Sequence, residues 1–314
     1  MTAGEFPGGK RFAFTVFDDT DDSTVANSAP VYRLLAEHGI FTTKSVWVLP
    51  SRGGSAGQCL LDPDYREWIC SLASEGFEIG LHNVGDGGFT RQEILDGLEL
   101  FNESLGHYPR VHANHISNPD CLYWWDRRFE WPFSLLYRAA YRARHGRRPA
   151  LGGHDPSSPH FWGDAAKRHI SYVRNLTFND IDTLAADPRM PYSVGSKSTY
   201  SNLWFSSSDG QRVEEFIDLL SPRNLARLEE RGGACVVYTH FASGFVGDTG
   251  EVDRRVAERI AALGQRPGWF VPVTVLLDHL VATHGADDPG YAYRLALDLR
   301  WGLDRVRKRI RYGR

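Results

Sequence analysis

The chain has 314 residues, of which 42% are hydrophobic and 24% charged, with a formal net charge of -3. That length supports one large α/β domain with a substantial core, and the charge balance gives no drive toward nucleic acid. Four scattered cysteines exclude a disulfide framework, and residues 1–11 contain no apolar run, so the sequence reads as that of a cytoplasmic, reduced protein without a membrane span.

The run Phe12 to Phe17 is aromatic and β-branched, the profile of a buried strand. Val31, Leu34 and Leu35 follow at helical spacing, and Gly39 closes that helix. Ser45 to Leu49 is the next strand. Asp62-Pro63 opens a helix that Gly76 ends, and Phe77 to Leu81 is a third strand. Thr90 and Glu93 form a capping box before Ile94, Leu95, Leu98, Phe101 and Leu105, which share one helical face. Arg110 to Ala113 reads as a short strand. After a long interval, Ser221-Pro222 starts a helix ending at Gly232, and Ala234 to Thr239 is a strand. Val256, Ile260 and Leu263 mark another helix before Gly264. Phe270 to Val273, then Leu276, Leu277 and Leu280, complete the pattern.

Strand and helix alternate, so the sheet is expected to be parallel with helices outside, open or closed into a barrel. The barrel should occupy residues 1–285, with an elaborated segment at about 120–225. Within that segment, residues 121–162 hold Trp124, Trp125, Trp131 and Trp162, which suit either sugar stacking or peripheral packing. Basic residues cluster at Arg138, Arg142, Arg144, Arg147 and Arg148. Residues 286–314 form a basic helical tail with Leu295, Leu299 and Val306, expected to pack on its own barrel or to make weak peripheral contact with anionic lipid.

Candidate chemistry sits at strand ends. Asp18 and Asp19 follow the first strand, His82 the third, and His240 the strand Ala234 to Thr239; His112 and His115 lie at or after the short strand. In a parallel barrel the C-terminal strand ends converge on one face, which would gather these carboxylates and imidazoles. The run Asp18, Asp19, Asp21, Asp22 lacks the ligand spacing of a calcium loop.

Phe14 to Asp19 resembles the first motif of the polysaccharide deacetylase (NodB homology) family, also grouped as carbohydrate esterase family 4. Leu34 to Thr43 is similar to the segment after that motif. Gly76 to His82 is similar to the second motif, and Val236 to His240 to the late motif that ends in histidine. The resemblance covers residues 12–115 and 230–283 and leaves 120–225 unexplained. It implies a distorted parallel (β/α) barrel and a metal-dependent hydrolase of an N-acyl, typically N-acetyl, amide. Carried over by position, it implies Asp18 as general base, Asp19 and His82 as metal ligands and His240 as general acid.

Two departures bear on the site: the third motif, which in the family carries prolines and an arginine that steadies the catalytic aspartate, reads Val111-His112-Ala113-Asn114-His115 here, and the second motif lacks a histidine. The family's second histidine, four residues after the first, is replaced by Asp86, which the substitution makes the expected third ligand; His115 or His112 stand as alternatives, with Asn114 between them as a ligand or substrate contact. The expected metal is zinc, with iron, manganese or cobalt as alternatives. The substrate should be a cytoplasmic sugar, a lipid-linked glycan precursor or a related metabolite. Two other readings fit the same residues: a non-catalytic carbohydrate-binding barrel, and a glycosidase using Asp18 and Asp86 as paired carboxylates.

Overall fold

The computed structural model describes residues 6–116, 118–146 and 151–313. Arg147, Arg148 and Arg314 of the basic clusters lie outside the described residues. Eight parallel strands run in chain order as β1 (Phe12–Asp18), β2 (Thr43–Val46), β3 (Glu78–Leu81), β4 (Val111–His112), β5 (Tyr172–Phe178), β6 (Leu203–Asp209), β7 (Ala234–Thr239) and β8 (Gly268–Phe270). Strands β1 to β7 pair in sequence, and β7 pairs back with β1, so seven strands close a barrel.

Closure is uneven, which gives the barrel its distortion. β1 pairs with β7 from Ala13 to Asp18 but with β2 only at Phe17 and Asp18. The N-terminal half of that edge is taken by β8, through Phe12, Ala13 and Phe14. All seven residues of β1 are buried because the strand has packed neighbours on both faces.

The helices cover the outside as their apolar periodicity requires. Thr90 and Glu93 form the expected capping box at the start of the helix Arg91–Leu105, and Gly76 and Gly106 close two helices in the left-handed conformation. The expected strand Phe270 to Val273 is instead the short β8 followed by the helix Val273–His284, with Pro272 at its N-cap.

The unexplained segment 120–225 contributes two barrel strands, β5 and β6, besides several helices. β5 carries one extra residue against β6: Arg174 faces Phe205, but Thr177 faces Ser207. The tryptophans of this region mostly pack it together. Trp162 is buried and its Nε1 donates to the Asp120 carbonyl at 2.7 Å, and Arg128 stacks on Trp124 at 4.1 Å. Trp131 is exposed.

The tail forms the helix Tyr291–Tyr312, which lies on the barrel. Lys308 is buried and its Nζ donates to both carboxylate oxygens of Asp209, the last residue of β6, at 3.0 Å; Arg305 also donates to Asp209, at 2.7 Å. Arg311 reaches Asp218 at 2.7 Å. Most of the basic character of the tail is therefore spent on the protein itself, since Arg294, Arg300 and Arg307 also pair with carboxylates. No helix among the described residues is long and apolar enough to cross a membrane.

Candidate active site

Alternation along β1 decides which carboxylate faces where. Phe17 contacts Phe205 of β6, across β7, so it points into the barrel. Asp18, the next residue, therefore points outward. It is fully buried, with Oδ2 accepting from Tyr32 of the helix Val25–Glu37 at 3.0 Å and lying 3.0 Å from Lys44 Nζ, while Oδ1 accepts from the Phe241 backbone N–H at 2.8 Å. These contacts leave Asp18 no access to the barrel mouth. Lys44 stays charged: burial opposes its charge, but Asp18 raises its pKa.

Asp19 turns the other way, into the mouth. Arg174 grips it with both guanidinium nitrogens, each at 2.6 Å. The guanidinium stacks on Phe17 at 5.0 Å and on Tyr238 at 4.4 Å, which fixes its plane. The extra residue in β5 begins directly after Arg174, at a place where a local kink re-aims side chains. Burial would raise the Asp19 pKa, but Arg174 and His82 bring it below the ordinary carboxylate value.

Asp21 is where the imidazoles meet. Its Oδ1 lies 2.7 Å from His115 Nε2, and its Oδ2 lies 3.2 Å from His82 Nε2 and 3.0 Å from His240 Nε2. Asp21, His82 and His115 each present one donor atom, all within 4.8 Å of one another, as do Asp19, Asp21 and His240. Burial raises the Asp21 pKa, and the three histidines pull it far below the usual range. In return, Asp21 lifts His115 to about 9 and, with Asp19, raises His240, in both cases against burial.

His82 and His115 are each oriented by the second ring nitrogen. His82 follows Gly80, whose missing side chain faces Phe17, so by alternation His82 also points inward. His82 Nδ1 is 3.0 Å from the Ala113 carbonyl, which fixes Nδ1 as donor and leaves Nε2 toward Asp21. His115 Nδ1 is 3.1 Å from Asn118 Oδ1, and its backbone N–H donates to Asn83 Oδ1 at 2.7 Å.

The remaining sequence candidates lie outside this cluster. His112 pairs with Leu81 in register, next to the inward Gly80, so its ring faces the helix layer. It is fully buried, packs edge-on against Trp162 at 5.2 Å, and burial lowers its pKa to about 3. Asn114 closes the following loop: its Oδ1 accepts from the Leu122 N–H at 2.7 Å and its Nδ2 donates to the Leu122 carbonyl at 3.1 Å. Asp86 accepts from Ser51 Oγ at 3.0 Å and the Ser55 N–H at 2.8 Å, and sits 3.4 Å from His115 Nδ1, the nitrogen turned away from the cluster. Gly53 makes room for it, since a Cβ there would fall 2.2 Å from Asp86 Oδ1. Asp18 and Asp86 thus occupy separate environments, the one paired with Lys44 and the other held by Ser51 and Ser55.

Sequence reasoning missed Asp21 and Arg174. Asp21 belongs to the run Asp18, Asp19, Asp21, Asp22, which lacks calcium-loop spacing and in which only Asp18 and Asp19 carry the motif resemblance. Arg174 was legible as one charge in the otherwise strand-like run Tyr172 to Phe178, since a cation buried in a barrel strand needs a partner.

The barrel has the fold of the polysaccharide deacetylases. Among solved structures, the chain is similar to an assigned polysaccharide deacetylase from Mycobacterium smegmatis, with a TM-score of 0.51 and 15% identity over 92% of this chain and 96% of that one. It also aligns with a family 4 acetyl xylan esterase from Clostridium thermocellum solved with a cobalt ion (14% identity, 87% and 92% of the two chains, TM-score 0.40). A third match is a peptidoglycan deacetylase from Bacillus subtilis (12% identity, 88% and 94%, TM-score 0.39). No family model matches the chain, and no curated protein matches it in sequence.

Proposed function

We propose that the chain is a metal-dependent deacetylase that hydrolyses the N-acetyl amide of a sugar, either a cytoplasmic metabolite or a lipid-linked glycan precursor. The observation that carries this reading is the convergence of His82, His115 and Asp21 beside a carboxylate clamped by arginine. Two imidazoles and one carboxylate suit zinc, and also iron, manganese or cobalt. Both imidazoles direct Nε2 inward with Nδ1 already bonded, the arrangement a ligating histidine adopts. The raised pKa of His115 reflects a proton held against Asp21 that a cation seated there would displace.

In this reading the roles move along the first motif. The general base passes from Asp18 to Asp19, and the carboxylate ligand from Asp19 to Asp21. His115 takes the third ligand position in place of Asp86. A divalent metal held by these three residues would acidify a water and polarise the acyl oxygen. Asp19, kept ionised and oriented by Arg174, accepts the proton of the attacking water. His240, whose Nε2 faces the mouth 3.0 Å from Asp21, delivers a proton to the departing nitrogen, which cannot leave as an anion.

Metal analysis of single variants tests the ligand set. The wild type and Asp86→Ala should hold about one divalent metal per chain. Asp21→Ala, His82→Ala and His115→Ala should each lose it. Stoichiometric metal in Asp21→Ala, with loss in Asp86→Ala, would return the site to the arrangement the sequence resemblance implies. An acetate-release screen over N-acetylated nucleotide sugars and lipid-linked sugars then tests the reaction. Metal binding without release from any of them would favour a carbohydrate-binding barrel.

A further inference from the structure

We infer that the outer face of the C-terminal helix docks the protein onto an anionic lipid surface. Leu299, Leu303, Val306 and Ile310 recur at every third or fourth residue of the helix Tyr291–Tyr312 and are 53%, 60%, 58% and 80% exposed. That spacing places them in one stripe. The opposite side is held by the barrel through Leu297, Asp304 and Lys308, so the stripe has no partner within the described chain.

Charge selects the occupant. The helix has two carboxylates, Asp298 and Asp304, and both are buried, at 2% and 4% exposure. The charges beside the stripe are the exposed Arg309 and Arg307, the second of which also lies 3.3 Å from Asp304. The helix Phe133–His145 packs alongside, with Phe133 against Trp301 and over Gly302. It contains no acidic residue, and it exposes Leu136 and Arg142. A second copy of the chain on this face would set arginine against arginine. An anionic leaflet instead takes the leucines into its interfacial layer and the arginines at its headgroups.

Position gives the contact a consequence. Near its end the helix reaches the C-terminal end of β6 through Lys308 and Asp209, and Lys308 also donates to Gln211 at 3.3 Å. The Gln211 carbonyl accepts from the His240 N–H at 3.2 Å. Val306 and Ile310 therefore lie toward the end of the barrel that carries His240, and docking brings that end close to the lipid. The inference does not depend on which reaction the site performs.

The test is co-sedimentation of the full chain with vesicles of phosphatidylcholine alone or mixed with phosphatidylglycerol, at low and high salt. The wild type should pellet with the anionic vesicles at low salt, more weakly at high salt, and not with phosphatidylcholine alone. Leu303→Ser/Ile310→Ser and, separately, Arg309→Glu should each weaken binding by about tenfold or more. Arg309 is exposed, so its variant reads binding rather than folding. No binding at low salt overturns the proposal, as does binding that neither variant weakens. A concentration-dependent dimer in sedimentation velocity that Leu303→Ser/Ile310→Ser abolishes also overturns it, by assigning the face to a second copy.

Discussion

Asp18 and Asp19 are adjacent in the chain and opposite in setting, and the difference is measurable. Asp19→Asn keeps the shape of the side chain but cannot accept a proton. It should retain metal and lose about 10²–10⁴-fold in turnover. Arg174→Lys should also retain metal and lower turnover, because an ammonium cannot reproduce the two parallel bonds to Asp19. Asp18→Leu should instead appear as instability. It leaves the Lys44 ammonium buried without a counter-ion, which costs about 3–5 kcal/mol. Asp18→Leu/Lys44→Met should recover most of that loss in a chemical denaturation experiment. If Asp18→Leu is as stable as the wild type, the buried pair has been misread.

At the scale of the element, β4 makes a pH prediction. Its two residues are Val111 and His112, and His112 is held neutral by burial, with its pKa lowered to about 3. The unfolded imidazole titrates near 6.5. Between those values the unfolded chain binds the extra proton, so stability is complete above about 6.5 and falls on acidification toward about 3. The slope from this residue is at most about 1.4 kcal/mol per pH unit. His112→Gln should flatten the decline of denaturation midpoints between about pH 6.5 and 5. Equal slopes in the two proteins would show that His112 is protonated in the fold. The helix Arg91–Leu105 offers a simpler check. Thr90→Ala removes the side-chain acceptor of its capping box and should cost about 1 kcal/mol.

For the whole molecule, the C-terminal helix behaves as part of the barrel wall. Lys308 and Arg305 neutralise Asp209 at the end of β6, and Lys308 also lies 3.3 Å from Glu215. Lys308→Met should destabilise the protein by about 3 kcal/mol, because the buried Asp209 carboxylate loses the one of its two cations that is itself buried. Arg309→Ala, on the outer face, should stay within about 0.5 kcal/mol of the wild type. Equal stability of the two variants would mean that the helix is an appendage. The outward stripe and the inward ion pairs alternate on one helix, so the same element can seal the barrel and present an apolar face.

Much of this organisation was written in local sequence. The strand of Phe12 to Phe17, the helix stops at Gly76 and Gly232, the capping box at Thr90 and the strand-end placement of His82, His115 and His240 follow from periodicity and backbone preference, which act over a few residues. The alternation of elements was enough to expect the parallel barrel. Other features needed the closed sheet. Strand alternation across β1 turned Asp18 outward and Asp19 inward, and neither residue carries that information alone. Arg174 lies 155 positions from Asp19 and meets it only because β5 and β1 face the same mouth. Asp21 gained its place by lying within reach of three imidazoles from three separate strand ends. A ligand set is a property of distances among side chains far apart in sequence, and such distances exist only after the barrel has closed.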